Sequence, residues 1–146
     1  MALVYLSLGS NLGDRAQNLV NAKNFIQEDI GAIIAESSIY KNRAVGFDGD
    51  DFYNQVIKIE TTLTPQTLLK KIEKIEKTMG RKEKTVWKND IPIYTNRIID
   101  IDILLYDDLQ IDTKELTIPH PRMYERDFVL SLLNEIMNYN NLNIFE

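Results

Sequence analysis

Residues 95–108, TNRIIDIDILLYDD, set two aspartates, Asp100 and Asp102, into an apolar run of Ile98, Ile99, Ile101, Ile103, Leu104 and Leu105. Such a β-branched run is a strand former and reads as a well-buried strand. Side chains alternate across a strand, so both aspartates project from one face while Ile99, Ile101 and Ile103 occupy the other. Two carboxylates that close repel each other and resist desolvation unless a cation or hydrogen-bond donors compensate them. Two explanations stand at this point. The strand is an edge strand whose aspartates face solvent, as is ordinary in antiparallel sheets, or the pair holds a cation. The strand alone does not decide between them.

Working outward toward the N-terminus, LVYLSL sets Leu3, Tyr5 and Ser7 against Val4, Leu6 and Leu8 and predicts another strand, followed by GSNLGD as a turn. Asp14, three residues before Gln17, resembles a helix start of capping-box type. Ala16, Leu19, Val20, Phe25, Ile26 and Ile30 then keep helical spacing up to Gly31. Residues 33–45 and 52–63 read as two strands of a hairpin joined by the acidic tip GFDGDD. Thr64 and Pro65 form an N-cap and first-turn pair, and Leu68, Leu69, Ile72, Ile75 and Met79 make one apolar stripe that ends at Gly80. Residues 81–97, RKEKTVWKNDIPIYTNR, carry five basic and two acidic side chains without a clear period, which predicts a long loop of the kind that is usually functional or disordered.

Beyond the aspartate strand, a turn at Asp107 and Asp108 leads to short extended pieces, then to IPHPR, then to a helix with the stripe Val129, Leu132, Leu133, Ile136 and Met137. The asparagine-rich tail NYNNLNIFE has no strong preference. Strands and helices mix without the strict alternation of a doubly wound sheet, so the predicted class is α+β. A chain of 146 residues suits one domain spanning 1–146, with a single core.

The composition, 44% hydrophobic and 27% charged, is that of a globular protein and not of a disordered one. No apolar run is long enough to cross a bilayer and the N-terminus lacks a leader pattern, so the expected location is cytoplasmic, with no membrane partner. With no cysteine and one histidine, thiolate and histidine-rich metal sites are excluded. A bound metal then takes carboxylates and other oxygens, which favours magnesium. A net charge of −5 argues against a general nucleic-acid binder but not against a local basic patch.

The remaining motifs are individually ambiguous. SLGSNLGD, residues 7–14, places glycines at a strand-to-helix turn but lacks the Gly-Lys-Ser/Thr ending of a phosphate loop, so a tight turn is the simpler role. The basic GRKEK at a helix end either answers the helix dipole or, beside Trp87, holds a polyphosphate. His120, fixed between Pro119 and Pro121, is by itself a structural or exposed histidine. Phe52 and Asn54 share a strand face, an aromatic plate beside an amide that suits a flat heterocycle, though core packing with a hydrogen bond to backbone is the default role.

Taken in order, the glycine turn, the aromatic and asparagine, the helix ending Gly-Arg, the tryptophan, Arg-x-x-Asp-Ile-Asp-Ile-Leu, Pro-His-Pro and Arg-x-Phe resemble one family, the 6-hydroxymethyl-7,8-dihydropterin pyrophosphokinases. The resemblance runs from about residue 3 to residue 137 and is carried most specifically by RIIDIDILLY, with SLGSNLGD, FYNQVIKIET and IPHPRMYERDF in support. It implies a ferredoxin-like, antiparallel-rich sheet layered with helices on both faces. It also implies an ATP-dependent transfer of diphosphate to a pterin alcohol in folate biosynthesis, releasing AMP.

By that resemblance Asp100 and Asp102 are ligands of two magnesium ions that bridge the ATP phosphates. Arg81 and Arg97 match positions that contact ATP and the developing charge. Glu73, Glu76, Trp87, Ile103, Thr117, His120 and Arg126 match further ATP-side positions. On the pterin side, Asn54 matches an amide that reads the ring edge, Phe52, Trp87 and Phe128 match aromatic positions, and Asn42, Arg43 and Val45 match a loop whose backbone reads the ring. The implied partners are ATP and the dihydropterin alcohol, with neighbouring folate-pathway enzymes as further candidates.

The chain also departs from the family pattern. Glu83 stands where a second arginine is usual, WKNDIPIYTNR replaces a shorter Trp-Gly-Pro-Arg, Glu73 stands for a frequent glutamine and Pro121 for a frequent tyrosine. Lys82, Lys84 and Lys88 are candidates to supply the missing charge. A noncatalytic ATP sensor and a two-metal phosphodiesterase would also use paired aspartates, the first without turnover of any pterin, the second without ATP. The long basic loop and the GFDGDD tip are expected to act as lids over the two substrates.

Overall fold

The alternation that begins at Leu3 builds strand β1, Ala2–Ser10, which the computed structural model places inside a sheet with partners on both sides. The structure describes residues 1–42, 51–80, 86–88, 91–93, 98–124 and 127–137, and for residues 42, 86–88 and 91–93 it describes the backbone alone. After β1 come helix α1, Arg15–Asp29, strands β2, Ala32–Glu36, β3, Tyr40–Asn42, and β4, Phe52–Thr61, and helix α2, Pro65–Thr78. Strands β5, Val86–Lys88, β6, Ile91–Ile93, β7, Asp100–Tyr106, β8, Ile111–Asp112, and β9, Thr117–Ile118, precede helix α3, Asp127–Met137.

The main sheet runs β2-β4-β1-β7, with β3 also paired to β4, and every pairing in it is antiparallel. A β1-α1-β2, β4-α2-β7 path with β4 inserted between β1 and β2 is the split arrangement of ferredoxin-like sheets. The predicted α+β class is therefore observed. Helices α1 and α2 cover one face, where Leu6, Leu8 and Ile101 meet Leu19, Ile26 and Ile72. Helix α3 covers the other, packing Val129, Leu132, Leu133 and Ile136 against Tyr5, Val56 and Leu104.

Local chemistry fixes the helix ends as the sequence predicts. Asp14 Oδ1 accepts the Gln17 N–H at 3.1 Å and Thr64 Oγ1 accepts the Thr67 N–H at 3.3 Å. The Gln17 side-chain amide in turn donates to Asn21 Oδ1 at 2.9 Å, one turn further along α1. Helix α2 gives way to Gly80 at φ +100, a left-handed conformation that glycine adopts without a Cβ clash.

Four expectations need correction. β1 continues through Gly9 and Ser10, so the turn is shorter than GSNLGD. The predicted strand over 33–45 is interrupted at Ser37–Ile39, where Ser37 Oγ accepts the Val56 N–H at 2.9 Å and takes over one ladder bond. Ala16 and Val20 lie outside the buried stripe of α1, which is Leu19, Ala22 and Ile26. The stretch 81–97 includes a short antiparallel hairpin, β5 with β6. The tail, most of the GFDGDD tip and the rest of 81–97, including Lys82 and Lys84, lie outside the described residues. Among the described residues no helix is long and apolar enough to cross a membrane.

Candidate functional site

Directly opposite residues of an antiparallel ladder share a face, so the register of the sheet states which side chains meet. Asp100 pairs with Gly9, Gly9 with Asn54, and Asn54 with Tyr40, giving one row across β7, β1, β4 and β3. The next row is Asp102, Ser7 and Val56. Val56 belongs to the core under α3, so both rows lie on the α3 face. The sequence inference that Asp100 and Asp102 share a face is correct, and Ile99, Ile101 and Ile103 are buried on the opposite one. Past Leu104 the alternation breaks. The β1–β7 register shifts by one residue, and this bulge sets Leu105 on the α3 side beside Leu104 and returns Tyr106 to the core under α1 and α2.

Gly9 leaves bare backbone between Asp100 and Asn54, about 10 Å apart at two strand spacings. A Cβ at Gly9 would stand 3.2 Å from Asn54 Oδ1 and 3.8 Å from Phe52 Cδ1, so the amide and the Phe52 ring edge flank this floor. Asn54 itself is buried and Phe52 half-buried. At the first turn of α3 the Phe128 ring stacks on Tyr40, with centroids 5.2 Å apart and planes within 2°.

At the carboxylate end, His120 is hitched to the aspartate strand by its own N–H, which donates to Leu104 O at 3.0 Å. Its Nδ1 accepts the Arg122 N–H at 3.2 Å, and its Nε2 faces Asp102 Oδ1 at 3.8 Å. An imidazole whose Nδ1 accepts carries its proton on Nε2, so the edge turned toward Asp102 is a donor. On the other side of β7, Glu76 Oε2 accepts the Ile101 N–H at 2.9 Å from a carboxyl that is 4% exposed. Ile103, two residues on, is 3% exposed and buried among the apolar residues under α1 and α2. Its main-chain groups have the parity of Ile101 and point to the same outer edge. Glu73 is exposed on α2, and Thr117 is half-buried on β9.

The structure thus brings Asp100, Asp102, His120, Asn54, Phe52 and Phe128 to one face, with Glu76 and the Ile103 backbone at the adjoining edge. Trp87 falls on β5 and Asn42 on β3, and of these two residues only the backbone is described. Arg43, Val45, Arg81, Arg97 and Arg126 lie outside the described residues. Sequence reasoning missed Gly9 as a strand residue of the site and Tyr40 altogether. The only pointer to Tyr40 was its place two residues before Asn42, because its pairing with Asn54 is not written in the local sequence.

Two half-buried carboxylates on one face, beside a histidine donor, make an oxygen donor set suited to magnesium. Among the described residues no group of three or more His, Asp or Glu side chains gathers round one point. A cation held by two carboxylates would therefore complete its shell with ligand or water oxygens, the usual arrangement for magnesium at a phosphate site.

The family model for 7,8-dihydro-6-hydroxymethylpterin-pyrophosphokinase (HPPK) matches residues 5–138. The 2-amino-4-hydroxy-6-hydroxymethyldihydropteridine pyrophosphokinase of Aquifex aeolicus is 46% identical over 93% of this chain and 81% of its own length. The folic acid synthesis protein FOL1 of Dictyostelium discoideum is 43% identical over 92% of this chain, which spans only 19% of that larger protein. A solved Plasmodium falciparum HPPK-DHPS structure superposes with a TM-score of 0.70 at 16% identity, covering 92% of this chain and 41% of that one, and so shares the fold. The extent of these matches, nearly end to end, means that the chain belongs to the 7,8-dihydro-6-hydroxymethylpterin-pyrophosphokinase family.

Proposed function

We propose that Asp100 and Asp102 hold two magnesium ions against the phosphates of ATP, and that the floor over Gly9, edged by Asn54, Phe52 and Phe128, receives the pterin. The activity of the family is the transfer of diphosphate from ATP to the hydroxymethyl group of 6-hydroxymethyl-7,8-dihydropterin, in folate biosynthesis. In that transfer the hydroxyl oxygen bonds to the β-phosphorus and gives up its proton to solvent, the bond from that phosphorus to the bridging oxygen of the α-phosphate breaks, and AMP leaves with the electron pair. Magnesium bound at the two carboxylates would neutralise the triphosphate and polarise the transferring group.

The chain's own part is positioning and charge. The observation that carries the proposal is the row Asp100, Gly9, Asn54, which aligns carboxylate, bare floor and amide on one face. The Asn54 amide suits the donor and acceptor edge of a flat heterocycle, while Phe52 and Phe128 supply stacking area. His120 presents an N–H and acts as a donor to a phosphate oxygen, not as a base. The outward backbone at Ile103, beside Glu76, offers an edge for the adenine. Arg81, Arg97, Arg126, Trp87, Glu73, Thr117, Asn42, Arg43 and Val45 join these roles on family resemblance alone.

One domain then carries the whole reaction, in the cytoplasm where ATP is supplied, with association with neighbouring folate enzymes as a further proposal. Product analysis tests the central step. Mixing the protein with ATP, magnesium and 6-hydroxymethyl-7,8-dihydropterin should give AMP and a diphosphorylated pterin in equal amounts, each absent when pterin or metal is withheld. Binding of ATP with no AMP formed would sink the assignment in favour of a nucleotide sensor.

A further inference from the structure

Tyr40 belongs to none of the motifs, yet its ring lies flat on Phe128 while remaining 44% exposed. Burial alone does not explain this placement, because a ring so exposed gains only part of the usual hydrophobic stabilisation. The two elements that carry the ring pair are tied a second time. Glu135 Oε1 accepts the Ser38 N–H at 2.9 Å and Glu135 Oε2 accepts the Ser38 Oγ–H at 2.7 Å. Glu135 follows Phe128 by seven residues, two helical turns on the same side of α3. Ser38 precedes Tyr40 by two residues. Helix α3 is therefore clasped at two points, by hydrogen bonds to Ser38 in the β2–β3 connection and by the ring of Tyr40 at the start of β3, and the aromatic point adjoins Asn54 through the Tyr40–Asn54 pairing.

From this clasp we infer that Tyr40 is a positioning residue for the pterin, holding the Phe128 ring in the plane from which it covers a heterocycle beside Asn54. The inference rests on the proposed reading of Phe128 and Asn54 as pterin-binding. Phe128 sits at the first turn of α3, half-buried against the α3-side core. A parallel ring on Phe128 removes the rotations that would tilt it, so the wall is set before the substrate arrives, and preorganisation of this kind lowers the cost of binding.

The test measures binding of 6-hydroxymethyl-7,8-dihydropterin to the full chain in the presence of magnesium and a non-hydrolysable ATP analogue, with the analogue's own affinity measured separately. Tyr40→Leu is expected to weaken pterin binding about three- to tenfold, the usual worth of an aromatic pair, and to leave the analogue's affinity unchanged. Tyr40→Phe, which keeps the ring, should restore the parent's pterin affinity. Glu135→Gln, at an exposed position, should weaken pterin binding in the same direction by a smaller factor.

Unchanged or tighter pterin binding by Tyr40→Leu would overturn the inference, as would an equal loss for pterin and analogue, which marks a merely structural role. Should Tyr40→Leu fail to fold, unchanged pterin binding by Glu135→Gln would overturn the clasp. Phe128→Ala separates the two levels. If it binds pterin as the parent does, the reading of Phe128 fails, whereas a loss there with none in Tyr40→Leu rejects the positioning role alone.

Discussion

Glu76 Oε2 accepts the Ile101 N–H at 2.9 Å, so a buried carboxylate from α2 holds the one residue that separates Asp100 from Asp102. The family resemblance gives Glu76 to the nucleotide, and the geometry adds a second task, fixing the backbone from which both aspartates project. The two tasks separate by substitution. Glu76→Ala removes the acceptor and should cost about 1.5–3 kcal/mol of stability, the worth of a hydrogen bond to a charged group. Glu76→Gln retains an oxygen for Ile101 and should recover most of that loss in urea unfolding. Equal stability of Glu76→Ala and the parent would show that the bond contributes nothing.

Asp100→Asn and Asp102→Asn keep shape and hydrogen bonding while removing charge. Each should lower turnover by about a hundredfold or more, equivalent to several kcal/mol of transition-state stabilisation. Melting temperature should hardly change, because both side chains are half-buried at the sheet face and are not core residues. Chelation of magnesium should abolish the activity of the parent. Turnover near that of the parent in a folded Asn variant would end the metal assignment for that residue.

Gly9→Ala tests the floor. The new methyl would lie 3.2 Å from Asn54 Oδ1 and 3.8 Å from Phe52 Cδ1, tighter than the amide accommodates without shifting. Overpacking of this kind costs about 1–3 kcal/mol, so the KM for pterin should rise about tenfold. The KM for ATP should stay near that of the parent, since the side chains the methyl would meet are those of Asn54 and Phe52. A rise in both, or in neither, would remove Gly9 from the pterin floor.

The sequence made these sites legible to different degrees, for physical reasons. Asp100 and Asp102 were readable because strand parity is local, and the caps at Asp14 and Thr64 because they act over three residues. The apolar stripe of α2 was readable because its period is strict. The break at Ser37–Ile39 was not, since it depends on Ser37 Oγ meeting the Val56 N–H from a strand nineteen residues away. Nor was Gly9 as a floor or Tyr40 as a support. Each gains its place only through cross-strand register, and register is decided by tertiary packing.

Gly31 shows the same long-range dependence in a stability role. A Cβ there would fall 2.0 Å from Glu60 O, inside the backbone of β4. Glycine is required by this close approach and not by an unusual φ. Gly31→Ala should therefore destabilise by about 1–3 kcal/mol or prevent folding, read as a lower urea midpoint. A midpoint equal to the parent's would mean that the α1–β2 connection and β4 part without cost.

Tyr106 gives a pH dependence whose sign follows from its surroundings. Its hydroxyl donates to Leu63 O at 2.6 Å, and burial first, then the neighbouring Asp107 charge, raises its pKa above the ordinary 10.0. Below that value the phenol is protonated in both folded and unfolded chains, and its hydrogen bond stabilises the fold in full. As pH rises past it, the unfolded chain ionises first and binds fewer protons than the folded one, so stability falls until the folded pKa is passed. Tyr106→Phe should cost about 1 kcal/mol near neutral pH, where the hydrogen bond is lost. Because other tyrosines and lysines titrate equally in both proteins, the gap between parent and variant isolates this group. That gap, measured by urea unfolding, should narrow as pH is raised from about 9 to about 11. A gap that stays constant or widens over the interval would mean that the Tyr106 pKa is not raised by folding.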